Sequence, residues 1–225
     1  MFIGHIALSL AAKRAVPSAS LGTLVGAALF VDLLWPLFLL AGWEAVRIAP
    51  GITAVTPLDF THYPWTHSLA MTVVWAILFA VTWQLAGRGR RSNADATWMG
   101  ALVASHWVLD ALSHRPDLPL VPGHPALVGL GLWDSLPATM AVETLMFVVG
   151  CRMYLWATRV TTEGKRWAFW AFAIGLYAIY LGNLFGPPPP SPEGLAWFGL
   201  LAWLLPLWAG WTDRQRREAA GGYFG

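Results

Sequence analysis

Apolar runs of bilayer length, separated by short basic or Pro/Gly-rich breaks, leave this chain few folds to choose from. They occupy Leu21 to Gly42, Tyr63 to Ala86, Asp95 to His114, Trp133 to Trp156, Trp167 to Phe185 and Gly194 to Trp211. A hydrocarbon core about 30 Å thick needs roughly 20 helical residues to cross it. Backbone amides inside lipid must pair within their own segment, which favours helices over open strands. Composition agrees, since 57% of residues are hydrophobic and only 12% charged, against about 25% charged in soluble domains. The expected architecture is an all-α polytopic transmembrane helix bundle. It has about six full spans plus a short N-terminal helix, in a single integral membrane domain over 1–225 with no internal repeat.

The N-terminal stretch Phe2 to Ala12 is too short for a comfortable span. It is expected to be tilted, re-entrant or tucked into the bundle. Its basic pair Lys13-Arg14 follows the apolar run, so it does not read as a cleavable signal. Pro36 is the expected kink of the second segment. Lys13, Arg14, Arg88, Arg90, Arg91, Arg159, Lys165, Arg166, Arg214, Arg216 and Arg217 fall at alternate ends of the spans, and Arg47 and Arg115 at the others. The positive-inside rule makes the larger set cytoplasmic, together with the C-terminus. The only cysteine, Cys151, excludes an intrachain disulfide and a thiolate-rich metal site. Nothing points to nucleic acid. The basic tail reads as a topology anchor near anionic lipid.

Against this apolar background the ionisable residues stand out. His106, Asp110 and His114 recur every fourth residue, a spacing that stacks them on one helix face. Helical rise sets Asp110 about 6 Å and His106 about 12 Å below the end of that span marked by His114. By the same arithmetic Asp32 lies about 15 Å, His67 about 6 Å and Glu143 about 10 to 15 Å below the corresponding ends of their own segments. His5 lies about 12 Å from the Lys13-Arg14 pair. The intramembrane acids and imidazoles therefore share one half of the bilayer, and such groups mark functional sites by default. Neutral imidazole with carboxylate, and no soft ligand, suits zinc or a similar divalent ion. His5, Asp32, His67, His106, Asp110 and His114 are the candidate ligands.

Such an ion acidifies water and polarises carbonyl or phosphoryl oxygen, so the chemistry on offer is hydrolysis. Glu143 is the candidate general base. Arg115 is a candidate clamp on a phosphate through its planar fork, and His62, at the same interface, joins it as a substrate contact. The depth of the cluster suggests a lipid-like substrate, an ester or phosphoester met from the extracytoplasmic side. Two other readings use the same residues. An ion or proton transporter would use the His/Asp cluster as a relay, and a haem protein would use His67 and His106 as axial ligands.

His5, Asp32, the segment His62-Tyr-Pro-Trp-Thr-His67-Ser68 and the pair His106-x-x-x-Asp110 together resemble the YdjM-type inner-membrane metal-dependent hydrolases. That family carries an early His, an Asp in its second helix, an H-R-G-x-T-H-S segment and an H-x-x-x-D helix. The likeness covers residues 1 to about 117. Here Tyr63-Pro64 stands where the family segment has Arg-Gly. The ligand order is more distantly similar to zinc-dependent phospholipase C. The resemblance implies a metal-dependent hydrolase in a bacterial inner membrane.

Overall fold

In a computed structural model, residues 1–87, 91–161 and 165–218 are described. Arg88 and Arg90, two of the charges used for orientation, lie outside these. The described chain is mostly helical. Helix α1 (Ile3–Ala12) is followed by α2 (Leu21–Ala28), α3 (Phe30–Leu40), α4 (Pro64–His67), α5 (Leu69–Ala86), α6 (Asn93–Ser113) and α7 (Leu136–Ala157). Beyond them come α8 (Arg166–Phe185), α9 (Pro192–Gly199) and α10 (Leu204–Arg214).

Four helical stretches are long and apolar enough to cross a membrane: α5, α7, α8 and the run Pro192–Arg214 through α9 and α10. A fifth is the bent pair α2 and α3. Six were anticipated. The one not in this set is α6, whose Asn93, Asp95, His106 and Asp110 make it more polar than the others. Large apolar side chains stay uncovered along α5, among them Val73, Ile77, Leu78, Val81 and Leu85. An apolar face of that extent requires lipid or a partner to cover it.

The second segment breaks at Leu29, between α2 and α3, with a bend of 56°. Pro36, the expected kink, sits inside α3 without interrupting it. The displaced break matters because it puts Asp32 in the first turn of α3. There the unpaired N–H groups and the helix dipole favour negative charge.

Helix α1 is tucked into the bundle, with Ile3, Gly4, His5, Ile6, Ala7, Ser9 and Leu10 buried. At 10 residues it reaches only about 15 Å, half the hydrocarbon thickness. It lies against α7, α2 and α6. The contact with α7 is backbone-close. A Cβ on Gly150 would come within 2.5 Å of the Ala7 carbonyl oxygen, the intimacy small residues give packed membrane helices. Lys13, one of the basic residues used for orientation, is buried. Its Nζ donates to Asp213 Oδ2 at 3.0 Å and to the Ala19 and Pro17 carbonyls. Asp213 also accepts from the Tyr154 hydroxyl at 2.7 Å and from the Leu21 amide. One carboxylate thus ties α1, α2, α7 and α10 together at the end of the bundle away from His5.

The loops are less irregular than an all-α expectation allows. Three short antiparallel ribbons occur: β1 (Ala45–Ile48) with β2 (Leu58–His62), β3 (Leu118–Pro119) with β4 (Leu127–Val128), and β5 (Thr158–Val160) with β6 (Arg216–Glu218). The first lines the approach to the polar cluster through Leu58 and Phe60.

Candidate metal centre

Four elements deliver side chains to one buried point. Helix α6 brings His106 and Asp110, α1 brings His5, the start of α3 brings Asp32, and α4 brings His67. Asp110 is the hub. Its Oδ1 lies 3.1 Å from His5 Nε2, and its Oδ2 lies 3.1 Å from His106 Nε2 and 3.9 Å from His67 Nε2. The Met1 amino nitrogen also approaches Oδ1, at 2.8 Å. Asp32 Oδ1 closes the group from the other side, 3.3 Å from His67 Nε2 and 3.5 Å from His106 Nε2. The His5 and His106 rings stack in parallel, 3.7 Å between centroids. Two overlapping sets, His5–Asp32–His106 and His67–His106–Asp110, each place their ligand atoms within 4.8 Å of one another.

The surrounding hydrogen bonds decide what these nitrogens can do. His106 Nδ1 lies 2.8 Å from the Ala28 carbonyl, an acceptor only, so Nδ1 carries the proton. The break at Leu29 leaves that carbonyl free of a regular helical partner. Neutral His106 therefore presents a bare Nε2, which is buried without a hydrogen-bond partner although two carboxylates face it. The Thr66 hydroxyl donates to Glu44 Oε2 at 2.7 Å, so its oxygen can only accept from His67 Nδ1, 2.6 Å away. In its neutral form His67 then presents a bare Nε2 as well. Two imidazole lone pairs aimed at two carboxylates repel unless a cation stands among them. A tetrahedral ion with bonds of about 2.1 Å would hold its ligand atoms roughly 3.4 Å apart, close to the separations found. The buried His/Asp groups fit a metal ion, and nothing in them selects which one.

Glu44 is the functional residue that sequence reading missed. It lies outside every span and carries no motif. It is buried, and it accepts the Thr66 amide at 2.8 Å as well as the hydroxyl. Burial pushes its carboxyl up, against the opposing pull of His67 and of the Thr66 hydrogen bonds. A carboxylate that orients a metal-binding imidazole typically carries 10- to 100-fold in affinity. Thr66→Val, which keeps the shape and breaks the chain from Glu44 to His67, should weaken zinc binding by about that factor. Competition with a chromophoric chelator measures it, and unchanged affinity would assign Glu44 to loop packing alone.

The remaining candidates divide. Glu143 is buried, and its Oε2 accepts the Phe2 and Gly4 amides at 3.0 and 3.1 Å. It therefore caps α1 and holds His5 in place, while also lining the cavity described next. His114 belongs to neither metal group; its Nδ1 is 2.9 Å from Asp117 Oδ1. Arg115, expected to clamp a phosphate, spends its guanidinium on Asp117 and Asp59, and Asp59 also takes Arg47. His62 is exposed at the end of β2, beside a separate shallow pocket bordered by Asp117 and His124.

A cavity of about 400 Å³ opens onto the cluster. Asp32, His67, Asp110, His114 and Glu143 form its polar wall. Trp35, Leu29, Leu184, Leu195, Leu205 and Pro187 to Pro189 form an apolar one. That volume suits one small molecule or part of a larger amphiphile.

The chain matches no protein-family model, no curated protein and no solved structure.

Proposed function

We propose that the protein is a membrane-embedded metal-dependent hydrolase, acting on a lipid-like ester or phosphoester from the extracytoplasmic side. The observation that carries this reading is the pair of Nε2 atoms on His67 and His106, which Thr66 and Ala28, each partnered to an Nδ1, aim at the Asp32 and Asp110 carboxylates. His5 completes the ligand set. A bound zinc or similar divalent ion would supply Lewis-acid polarisation of a substrate oxygen and an acidified water. The rest falls to the chain's own groups. The apolar wall seats an acyl or alkyl portion, and the polar wall receives the ester or phosphoester. Glu143 lines the same cavity as the candidate base. The YdjM-type resemblance supports the same class, as does the coincidence of the ligand cluster with the quoted motif residues.

In this reading α6 crosses as the sixth span despite its polar start, since its acid and imidazoles face the cluster. The basic ends are cytoplasmic, and the membrane is a bacterial inner membrane. A haem between His67 and His106 is disfavoured by geometry: their ring centroids lie 5.5 Å apart, and both Nε2 atoms already face carboxylates. Elemental analysis of detergent-purified protein tests the proposal, with about one or two equivalents of divalent metal expected. Wild-type protein free of metal after zinc loading would overturn it. Ion flux in liposomes without turnover of any ester would favour the relay reading instead.

A further inference from the structure

Beside the ligand cluster stands a second histidine unit that the metal does not need. His114 follows Asp110 by one helical turn, borders the same cavity as His67 and Asp110, and is 3% exposed. Its Nδ1 lies 2.9 Å from Asp117 Oδ1. Asp117 is itself held. Its Oδ1 accepts from the Tyr63 hydroxyl at 3.1 Å, and its Oδ2 accepts from Arg115 Nε at 3.0 Å. The Trp133 ring packs against the imidazole at 4.3 Å. Behind it, Gly129 passes so close that a Cβ there would collide with the Arg115 carbonyl oxygen. The ring is fixed in place and in tautomer, and Nε2 is the nitrogen left without a protein partner among the described residues. A carboxylate on Nδ1 of a cavity-lining histidine, with Nε2 left unpartnered, is the arrangement that makes an imidazole a proton-transfer catalyst.

We propose that His114 is the general acid of the hydrolysis, with Asp117 as its positioning residue. This rests on the hydrolase reading above. Water attacks the carbonyl carbon or the phosphorus, and the bond from that atom to the leaving oxygen breaks. The proton on His114 Nε2 passes to the departing oxygen, giving the free alcohol. The proton released by the attacking water returns the imidazole to its starting state. Asp117 holds the ring through Nδ1, and Arg115 in turn orients Asp117. Arg115 therefore acts through Asp117.

The test uses matched substrates that differ only in the leaving oxygen, p-nitrophenyl against n-alkyl, in a carboxylic ester and a phosphodiester series. Zinc-loaded wild-type protein in detergent should turn over both members of one series. His114→Ala should keep its zinc and lose about a hundredfold or more on the n-alkyl member, but less than about tenfold on the p-nitrophenyl member, which departs without a proton. Asp117→Asn should show the same split in milder form. Should His114→Ala fail to fold, His114→Gln gives the same comparison. An equal fall on both leaving groups overturns the inference. So does loss of zinc from the folded variants, which would make His114 a ligand. Wild-type protein that binds zinc but hydrolyses nothing overturns the hydrolase reading and this inference with it.

Discussion

Asp213→Asn should destabilise the folded protein by about 3–5 kcal/mol, the usual result of removing one partner of a buried ion pair. The size follows from what is left behind. Lys13 is 6% exposed, and without the carboxylate its ammonium keeps only the Pro17 and Ala19 carbonyls. The asparagine amide can still accept from Tyr154, so the loss reports charge more than packing. Lys13→Met should cost less, because Asp213 retains the Tyr154 hydroxyl and the Leu21 amide. The double variant should recover part of the loss, since a Met–Asn pair of similar volume buries no charge. Unfolding in mixed micelles with increasing denaturing detergent measures all three. Losses below about 1 kcal/mol in both single variants would show the pair to be solvated.

The second large effect belongs to Asp110→Asn. Asp110 approaches His5, His67 and His106 at once, and no other residue of the cluster touches all three imidazoles. Asparagine keeps the shape and one acceptor but removes the negative charge that balances a bound cation. Zinc affinity should fall by more than the 10- to 100-fold expected of a residue one shell further out. Asp32→Asn should fall by less, because Asp32 has a side chain 36% exposed and water can take its place. Isothermal titration with zinc after chelator treatment gives both values. Equal affinities for wild type and Asp110→Asn would remove Asp110 from the ligand set.

The parts of this arrangement that could be read from the sequence are those that depend on spacing along a helix. The i, i+4 relation of His106 and Asp110 survives as a facing pair, and the shared depth of His5, Asp32, His67 and Asp110 becomes shared contact. What could not be read depends on partners distant in sequence or on breaks without a marker. The bend at Leu29 has no Gly or Pro at the turning point; the nearby Pro36 drew the expectation away from it. Lys13 looked like every other basic residue at a span end, because its partner lies 200 residues on. Glu44 sat in a loop whose ribbon pairing brings it under Thr66, and loop carboxylates are ordinarily solvated. Arg115 has two acids within reach, Asp59 and Asp117, and their placement appears only once β2 is laid beside the end of α6.

The shortness of α1 has a consequence for how the protein is made. At about 15 Å it cannot hold a transmembrane position alone, and its seat is the face of α7 around Gly150, capped by Glu143. Synthesis of α1 precedes that of α7 by more than a hundred residues. His5 must therefore wait at the membrane surface until the later helices have inserted. The His/Asp cluster is thus completed only after most of the bundle is in place, since His5 reaches it from a helix seated on α7.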